Sequence, residues 1–301
     1  MSNSSPRRWF LIAIPYLWLL LFFLAPFLIV LKISFSDTVI AQPPYSPLLD
    51  LSKGLAGISE FLSGIDLESY QWLIDDSLYV NAFLSSLKIA LFSTFMALLV
   101  AFPLAYAMAR TSEKWRSIFV MLVILPFWTS FLIRVYAWIG ILRSEGFLNQ
   151  FLIWTGLISE PLQIMNTPTA VYIGIVYSYL PFMVLPIYST LEKMDESLLE
   201  AAIDLGCTRF SAFWLVTLPL AVPGIIAGCF LVFIPAMGEF VIPDLLGGSS
   251  TLMMGKTLWN EFFSNRDWPV ASAVAITLLL FLVVPIVIFQ RQLERQQDAG
   301  R

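Results

Sequence analysis

The chain has 301 residues, 58% of them hydrophobic, 15% aromatic and only 13% charged, with a mean hydropathy of +0.81 and a net charge of −4. A soluble domain carries about 25% charged residues. These figures therefore exclude an ordinary soluble globule and a disordered chain. With 17 basic residues against 21 acidic ones, they also exclude a nucleic-acid binder. There is no histidine, which removes Ser/His and Cys/His nucleophilic pairs, histidine metal sites and histidine pH switches. The two cysteines, Cys207 and Cys229, cannot complete a four-ligand zinc site and read as small apolar residues. No metal site and no catalytic constellation are expected.

Taken in chain order, six stretches lack Asp, Glu, Lys and Arg: Trp9–Leu31, Ile89–Ala109, Ser117–Ile133, Pro161–Leu191, Phe210–Gly238 and Trp268–Gln290. Each can hold an apolar helix near the roughly 20 residues that cross hydrocarbon, the third by continuing past Arg134. The expected fold is an all-α integral membrane protein with spans near 9–31, 84–109, 117–141, 170–190, 220–241 and 269–290. Arg7 and Arg8 precede the first stretch as in a signal peptide. The uncharged run is longer than a typical signal core and no clear cleavage site follows, so it reads as a retained helix.

Orientation follows from the bases. The N-terminus, the 110–116 and 192–218 loops and the tail hold Arg7, Arg8, Arg110, Lys114, Arg116, Lys193, Arg209, Arg291, Arg295 and Arg301. The alternate loops hold only Lys32, Lys53, Arg143, Lys256 and Arg266, although they are longer. Both termini are expected in the cytoplasm. The alternate loops are acidic, with Asp37, Asp50, Glu60, Asp66, Glu68, Asp75, Asp76, Glu145, Glu160, Asp244, Glu261 and Asp267. Such a surface concentrates cations, or simply keeps an outer face soluble. The parts are then a tail and first span at 1–32, a periplasmic segment at 33–82, a five-helix core at 83–290 and a cytoplasmic tail at 291–301. In the periplasmic segment, Gln42–Pro47 reads as a turning stretch and Leu67–Tyr79 as a short interfacial helix.

The 192–218 loop is the most informative segment. Ser197 and Glu200 have capping-box spacing, apolar positions follow, and Gly206 suits the left-handed end of a helix. A second short helix is expected over about Thr208–Val216, with Phe210, Phe213 and Trp214 as its apolar face, and Pro219 opening the next span. A short exposed helix of this kind either docks in a partner's groove or merely closes the loop.

The run Glu200-Ala201-Ala202-x-x-x-Gly206, followed after nine residues by Val216-x-Leu218-Pro219, resembles the EAA loop of permease subunits of binding-protein-dependent ABC importers. It departs from that pattern only in Val216 for isoleucine. The resemblance extends over roughly 81–290, with the first span as an extra N-terminal helix. It implies the type I importer permease fold and a coupling helix in which Glu200, Ala201, Ala202, Asp204 and Gly206 meet a separate ATPase subunit. Two further segments, Phe233–Gly248 and Leu258–Pro269, resemble polyamine (spermidine/putrescine) importer permeases, the second leaning toward the first permease of a putrescine system.

From the resemblance follow an inner-membrane location, a second permease as heterodimer partner, two ATPase copies that bind the ATP, and a periplasmic polyamine-binding protein. No cofactor is expected in this chain. Gly255-Lys256-Thr257 looks like the end of a phosphate loop, but the required earlier glycine is Ser250. For the pathway, Glu239 and Asp244 can meet an ammonium group, with Tyr136, Trp138, Tyr177, Tyr179 and Trp259 as faces for a methylene chain or as ordinary belt and packing residues. Arg134 can snorkel or pair with a carboxylate such as Glu239. Pro181 and Pro186 can bend the fourth span, and Gly224 and Gly228 allow close helix contact. The alternatives are an importer for another small solute, or an ion-coupled secondary transporter, which would more often carry acids in mid-span.

Overall fold

The computed structural model describes residues 6–48, 54, 59, 64–249 and 251–299. Asp50, Lys53, Glu60, Ser250 and Arg301, all used above, lie outside the described residues. Nearly all regular structure is helical. The exception among the described residues is a two-residue antiparallel pairing of Asp37–Thr38 with Tyr45–Ser46, which closes the expected turn around Pro43 and Pro44.

Among the described residues, four helices are long and apolar enough to cross a bilayer: Ile12–Ile33, Ser77–Arg110, Pro168–Glu192 and Arg209–Met237. They overlap four of the six expected spans. The expected third span is broken. Glu113–Trp128 and Phe131–Trp154 meet at a bend of 91°. Pro126 lacks an amide to donate and sits in a 3-10 turn, after which Thr129 and Ser130 are extended. An otherwise continuous apolar run hides this proline in the sequence. The last helix runs Trp268–Ala299, and its stretch Trp268–Val283 is apolar but shorter than the other four. Pro181 and Pro186 are accommodated within one continuous helix, Pro168–Glu192.

The chain divides into two compact units, Met1–Val80 with Thr257–Arg301, and Asn81–Lys256. In the first, Ala25–Ile33 and Glu68–Asp75 both pack on the last helix. Two of the acidic residues accept from hydroxyls: Thr38 donates to Asp267 at 2.7 Å and Tyr79 to Glu261 at 3.0 Å.

In the second unit the main packing is between Pro168–Glu192 and Leu218–Met237. Small residues make it possible. A side chain on Gly224 would lie 2.7 Å from the Pro186 carbonyl oxygen, and one on Gly228 would lie 2.8 Å from Met183 Sδ. Both glycines therefore permit the close approach expected of them. A stripe of Ala97, Ala101 and Ala105, spaced one turn apart on the Ser77–Arg110 helix, joins the same buried cluster with Met183, Ile187, Ala221 and Val232.

Candidate functional site

The 192–218 segment forms its first helix at Ser197–Asp204. The capping box does not form. The Ser197 side chain makes no cap, and instead the Ser197 amide donates to the Asp195 carboxylate at 2.9 Å, which holds Asp195 below the usual carboxylate range. The Asp195-x-Ser197 spacing suits such an Asx-type turn and competes with the Ser/Glu pattern for the same amides. The C-terminal end matches expectation. Gly206 has φ +90°, its amide donates to Ile203 at 2.8 Å, and the Cys207 amide donates to Ala202 at 3.0 Å. Those two bonds are the paired closure of a glycine-terminated helix.

Thr208 caps the next turn by accepting from the Ser211 amide at 3.2 Å. That helix does not stop before Pro219. Arg209–Ala212 passes through a π turn at Phe213–Thr217 directly into Leu218–Met237. Proline at the second position of the continuing helix is tolerated once the wider turn removes the need for its amide.

Ion pairs hold the segment in place. Arg110 meets Glu196 at 2.9 Å and Arg116 meets Glu192 at 3.2 Å, joining the 110–116 turn to the end of the Pro168–Glu192 helix. Phe213 packs edge-on against Phe102 and Tyr106. Phe210 and Trp214, expected on the same apolar face, stay exposed. So do Glu200, Ala201, Asp204 and Gly206, with Ala202 half-buried and Leu205 87% exposed. A rigid, capped helix with a bare apolar flank is thus presented outward.

A second constellation surrounds Glu239, which is 7% exposed. Leu218–Met237 ends at Gly238, and a short helix, Val241–Leu246, follows at once. Glu239 Oε1 accepts from the amides of Phe240, Val241 and Ile242 at 3.1, 3.0 and 3.4 Å. Oε2 accepts from the Tyr179 hydroxyl. A carboxylate facing free amides at a helix start is favoured by both hydrogen bonding and the local dipole. Tyr179 stands near the middle of the 25-residue Pro168–Glu192 helix, so Glu239 sits at mid-helix depth.

Ser86, fully buried, accepts from the Met254 amide at 2.8 Å and fixes the chain beside this turn. Gly255 then passes so close that a Cβ would lie 2.6 Å from the Glu239 carbonyl oxygen and would also strike that of Gly238. This is the structural use of the Gly255-Lys256-Thr257 run. Its lysine pairs with Asp244 at 3.3 Å and donates to the Gly248 carbonyl, also at 3.3 Å. Gly255→Ala is expected to displace backbone against backbone, costing about 1–3 kcal/mol, and to lower the melting temperature of the purified complex. A melting curve identical to wild type would show that the turn can yield.

A family match covers most of this ground: residues 89–297 match the binding-protein-dependent transport system inner membrane component family. The chain belongs to that family. This permease is 40% identical over 291 residues to the spermidine/putrescine transport system permease protein PotB of Salmonella typhimurium strain SL1344, covering 97% of this chain and 95% of that one. It is 42% identical to PotB of Haemophilus influenzae over 280 residues, covering 93% and 92%. In fold it is similar to a chain of a bacterial ABC transporter that imports the acidic polysaccharide alginate, at 20% identity and a TM-score of 0.66 over 96% of both chains.

Of the permease's expected pathway residues, the structure joins Glu239 to Tyr179 by a hydrogen bond. Trp138 and Tyr177 meet each other edge-on, ring centres 5.3 Å apart. Tyr177 faces an apolar groove of about 320 Å³ lined by residues such as Leu104, Phe119 and Pro181. Tyr136 is exposed. Asp244 is engaged by Lys256, and the Trp259 and Phe263 rings lie tilted at 38° with centres 4.1 Å apart.

The cavity beside Glu239 measures about 430 Å³ and is lined by Phe127, Arg134, Ser178, Tyr179, Phe182 and Glu239 among others. Arg134 forms no ion pair with Glu239. Its guanidinium instead lies 5.4 Å from the Phe127 ring centre and 5.7 Å from that of Phe131. Ser178, Ser86 and Gly255 are not legible as site residues in the sequence, because a lone small residue in an apolar run carries no pattern.

Proposed function

We propose that this permease is one of two different membrane subunits of an ATP-driven polyamine importer in a bacterial inner membrane. The observation that carries the mechanism is the exposed helix at 197–204, closed at both ends and anchored by Arg110–Glu196 and Arg116–Glu192. A helix braced in this way can transmit a push to the helix ends at residues 110 and 192 without itself deforming. Glu200, Ala201, Ala202, Asp204 and Gly206 are its contact surface for a separate ATPase subunit, two copies of which bind the ATP. This chain holds no nucleotide.

The polyamine class comes from the relatives, whose names carry both spermidine and putrescine. They do not single out the putrescine system. Counting the bent 113–154 pair and the last helix as one span each gives six spans with both termini cytoplasmic. The two ion pairs support this orientation, since they join segments that the base distribution assigns to one side. A periplasmic binding protein delivers the solute to the acidic outer face.

In the pathway, Glu239 Oε1 is used up by three amides, but Oε2 keeps a lone pair beyond the Tyr179 hydroxyl. An ammonium group can approach it between the rings of Tyr179 and Phe127. Tyr136, Trp138, Tyr177 and Asp244 are not among the residues lining this cavity and, with Trp259, are assigned to other stages of entry.

Proteoliposomes holding the complete complex test the reading. Labelled putrescine and spermidine should accumulate only with ATP and loaded binding protein, and an anionic control should not. Uptake without ATP would overturn the energy source, and uptake of the anion alone would overturn the solute class.

A further inference from the structure

The Asp244 side chain is 57% exposed, whereas that of its partner, Lys256, is 17% exposed. A cation arriving from outside can therefore reach the carboxylate, while the lysine stem is largely covered. Lys256 Nζ meets two acceptors, an Asp244 carboxylate oxygen and the Gly248 carbonyl, each at 3.3 Å. Charge-assisted bonds between nitrogen and oxygen close to about 2.7–2.9 Å. The Arg110–Glu196 pair does so, at 2.9 Å. Lys256 is by comparison loosely held.

Three contacts along the Pro168–Glu192 helix place this pair outward of Glu239. Tyr179 donates to Glu239. A Cβ on Gly174, more than a turn earlier, would lie 2.8 Å from both Ile242 and Leu246. The Asn166 amide, just before the helix begins, donates to the Leu246 carbonyl at 2.9 Å. The short Val241–Leu246 helix thus climbs from Glu239 toward the end that the base distribution assigns outside. Ile242 and Leu246 share its inward face, and Asp244, two residues from each, lies on the opposite one.

The group that Asp244 holds is itself informative. A lysine side chain is an ammonium on a flexible four-carbon stem. Putrescine is the same fragment with a second ammonium at its other end, and spermidine carries that fragment too. A carboxylate and a carbonyl that accept the lysine ammonium accept the end of a polyamine by the same bonds. The pair is also tied to Glu239 through the backbone. Gly255, the residue before Lys256, is the one whose Cβ would lie 2.6 Å from the Glu239 carbonyl oxygen.

We infer that Asp244 and the Gly248 carbonyl form an outer ammonium seat, and that Lys256 is its built-in occupant, displaced by the end of an arriving polyamine. This rests on the polyamine reading above. With Lys256 in place the seat is neutral. A lysine swung aside uncovers one negative charge, which the incoming ammonium neutralises. The occupant weakens the hold on the solute, because the apparent affinity falls with the fraction of time that Lys256 is away. A weak hold suits a conduit, since a tightly bound cation would not move on to Glu239.

The test uses the whole complex in phosphatidylcholine nanodiscs, without binding protein or ATP. It reads the concentration of labelled putrescine that half-saturates the complex. Lys256→Met keeps the stem and removes the charge, and should lower that concentration about fivefold or more by removing the resident competitor. Asp244→Asn should raise it. Adding Lys256→Met to Asp244→Asn should then change nothing further, since no seat is left to clear. Lys256→Arg keeps a resident cation and should show no gain.

A second measurement reverses the change within one folded sample. Lys256→Cys, in a Cys207→Ala, Cys229→Ala background, should bind putrescine as Lys256→Met does. Labelling with the ethylammonium methanethiosulfonate reagent returns an ammonium to this position and should restore wild-type binding. The neutral methyl reagent should not. An unchanged or higher half-saturation for Lys256→Met would overturn the built-in occupant. A gain that persists beside Asp244→Asn would come from long-range charge and overturn the seat. Polyamine uptake by proteoliposomes without any gain from Lys256→Met would remove the occupant and leave the transport reading standing. If the wild-type complex takes up another solute and no polyamine, that reading falls first and the occupant with it.

Discussion

Gly206→Val is expected to bring polyamine uptake down to near background while the chain still accumulates in the membrane at wild-type level. The residue has φ +90°, and a Cβ added there would meet open space. No packing is therefore lost. What is lost is the backbone conformation, which costs an L-residue about 1–2 kcal/mol, and more for a β-branched one. The two closing bonds, Gly206 to Ile203 and Cys207 to Ala202, depend on that conformation. Without them the helix frays at the end where Leu205 stands out, and the contact surface is no longer rigid. Gly206→Asn should keep much of the activity, because asparagine tolerates the left-handed region. Uptake assays on membrane vesicles, with an immunoblot of the membrane fraction, give both readouts. Wild-type uptake by Gly206→Val would remove the rigid-helix mechanism. Equal losses for Val and Asn would show that side-chain bulk in the groove, not backbone conformation, is what matters.

The same residue shows why parts of the molecule are legible in the sequence. A glycine after an apolar helical pattern reports a backbone requirement that few other residues meet, so the pattern alone marks Gly206 as a helix end. The apolar runs at 9–31, 84–109, 170–190 and 220–241 are legible for a similar reason, because only a long uncharged helix suits hydrocarbon. The bend after Pro126 is not, since hydropathy does not register where an amide is missing. The capping of Ser197 by Asp195 is easily misread because both Asp-x-Ser and Ser-x-x-Glu patterns lie on the same few residues. The position of Glu239 at mid-helix depth is not legible either. Pattern alone puts it near the outer end of the expected 220–241 span, and depth depends on which turn of the neighbouring Pro168–Glu192 helix carries Tyr179. Arg134 is visible as a charge in an apolar stretch, but its seat against the rings of Phe127 and Phe131 is a property of the bend after Pro126, which hydropathy does not record.

Replacing Glu239 separates two roles that its geometry combines. Glu239→Ala strips an acceptor from the amides of Phe240, Val241 and Ile242 and from the Tyr179 hydroxyl. Leaving a buried donor unsatisfied costs about 1–3 kcal/mol, so this variant should lower both the melting temperature of the complex and its uptake. Glu239→Gln keeps the Oε1 acceptor for the three amides, and its new amide can donate to the Tyr179 oxygen. The turn should survive and melting should stay close to wild type. What changes is charge. Arg134 remains in the cavity, and this chain's contribution there moves from zero to +1, which repels an incoming ammonium group. Uptake should fall about tenfold or more, the loss expected when a group that meets the cation in the rate-limiting step costs ~1.4 kcal/mol or more. The binding protein's own affinity for polyamine should not move, since that protein is untouched. Uptake and thermal melting of the two variants decide the matter together. If Gln transports like wild type and Ala does not, Glu239 is a cap for the 241–246 helix and the cation meets something else. If both transport like wild type, neither role holds, and the short helix draws its order from its packing on Phe131–Leu142 and Pro168–Glu192.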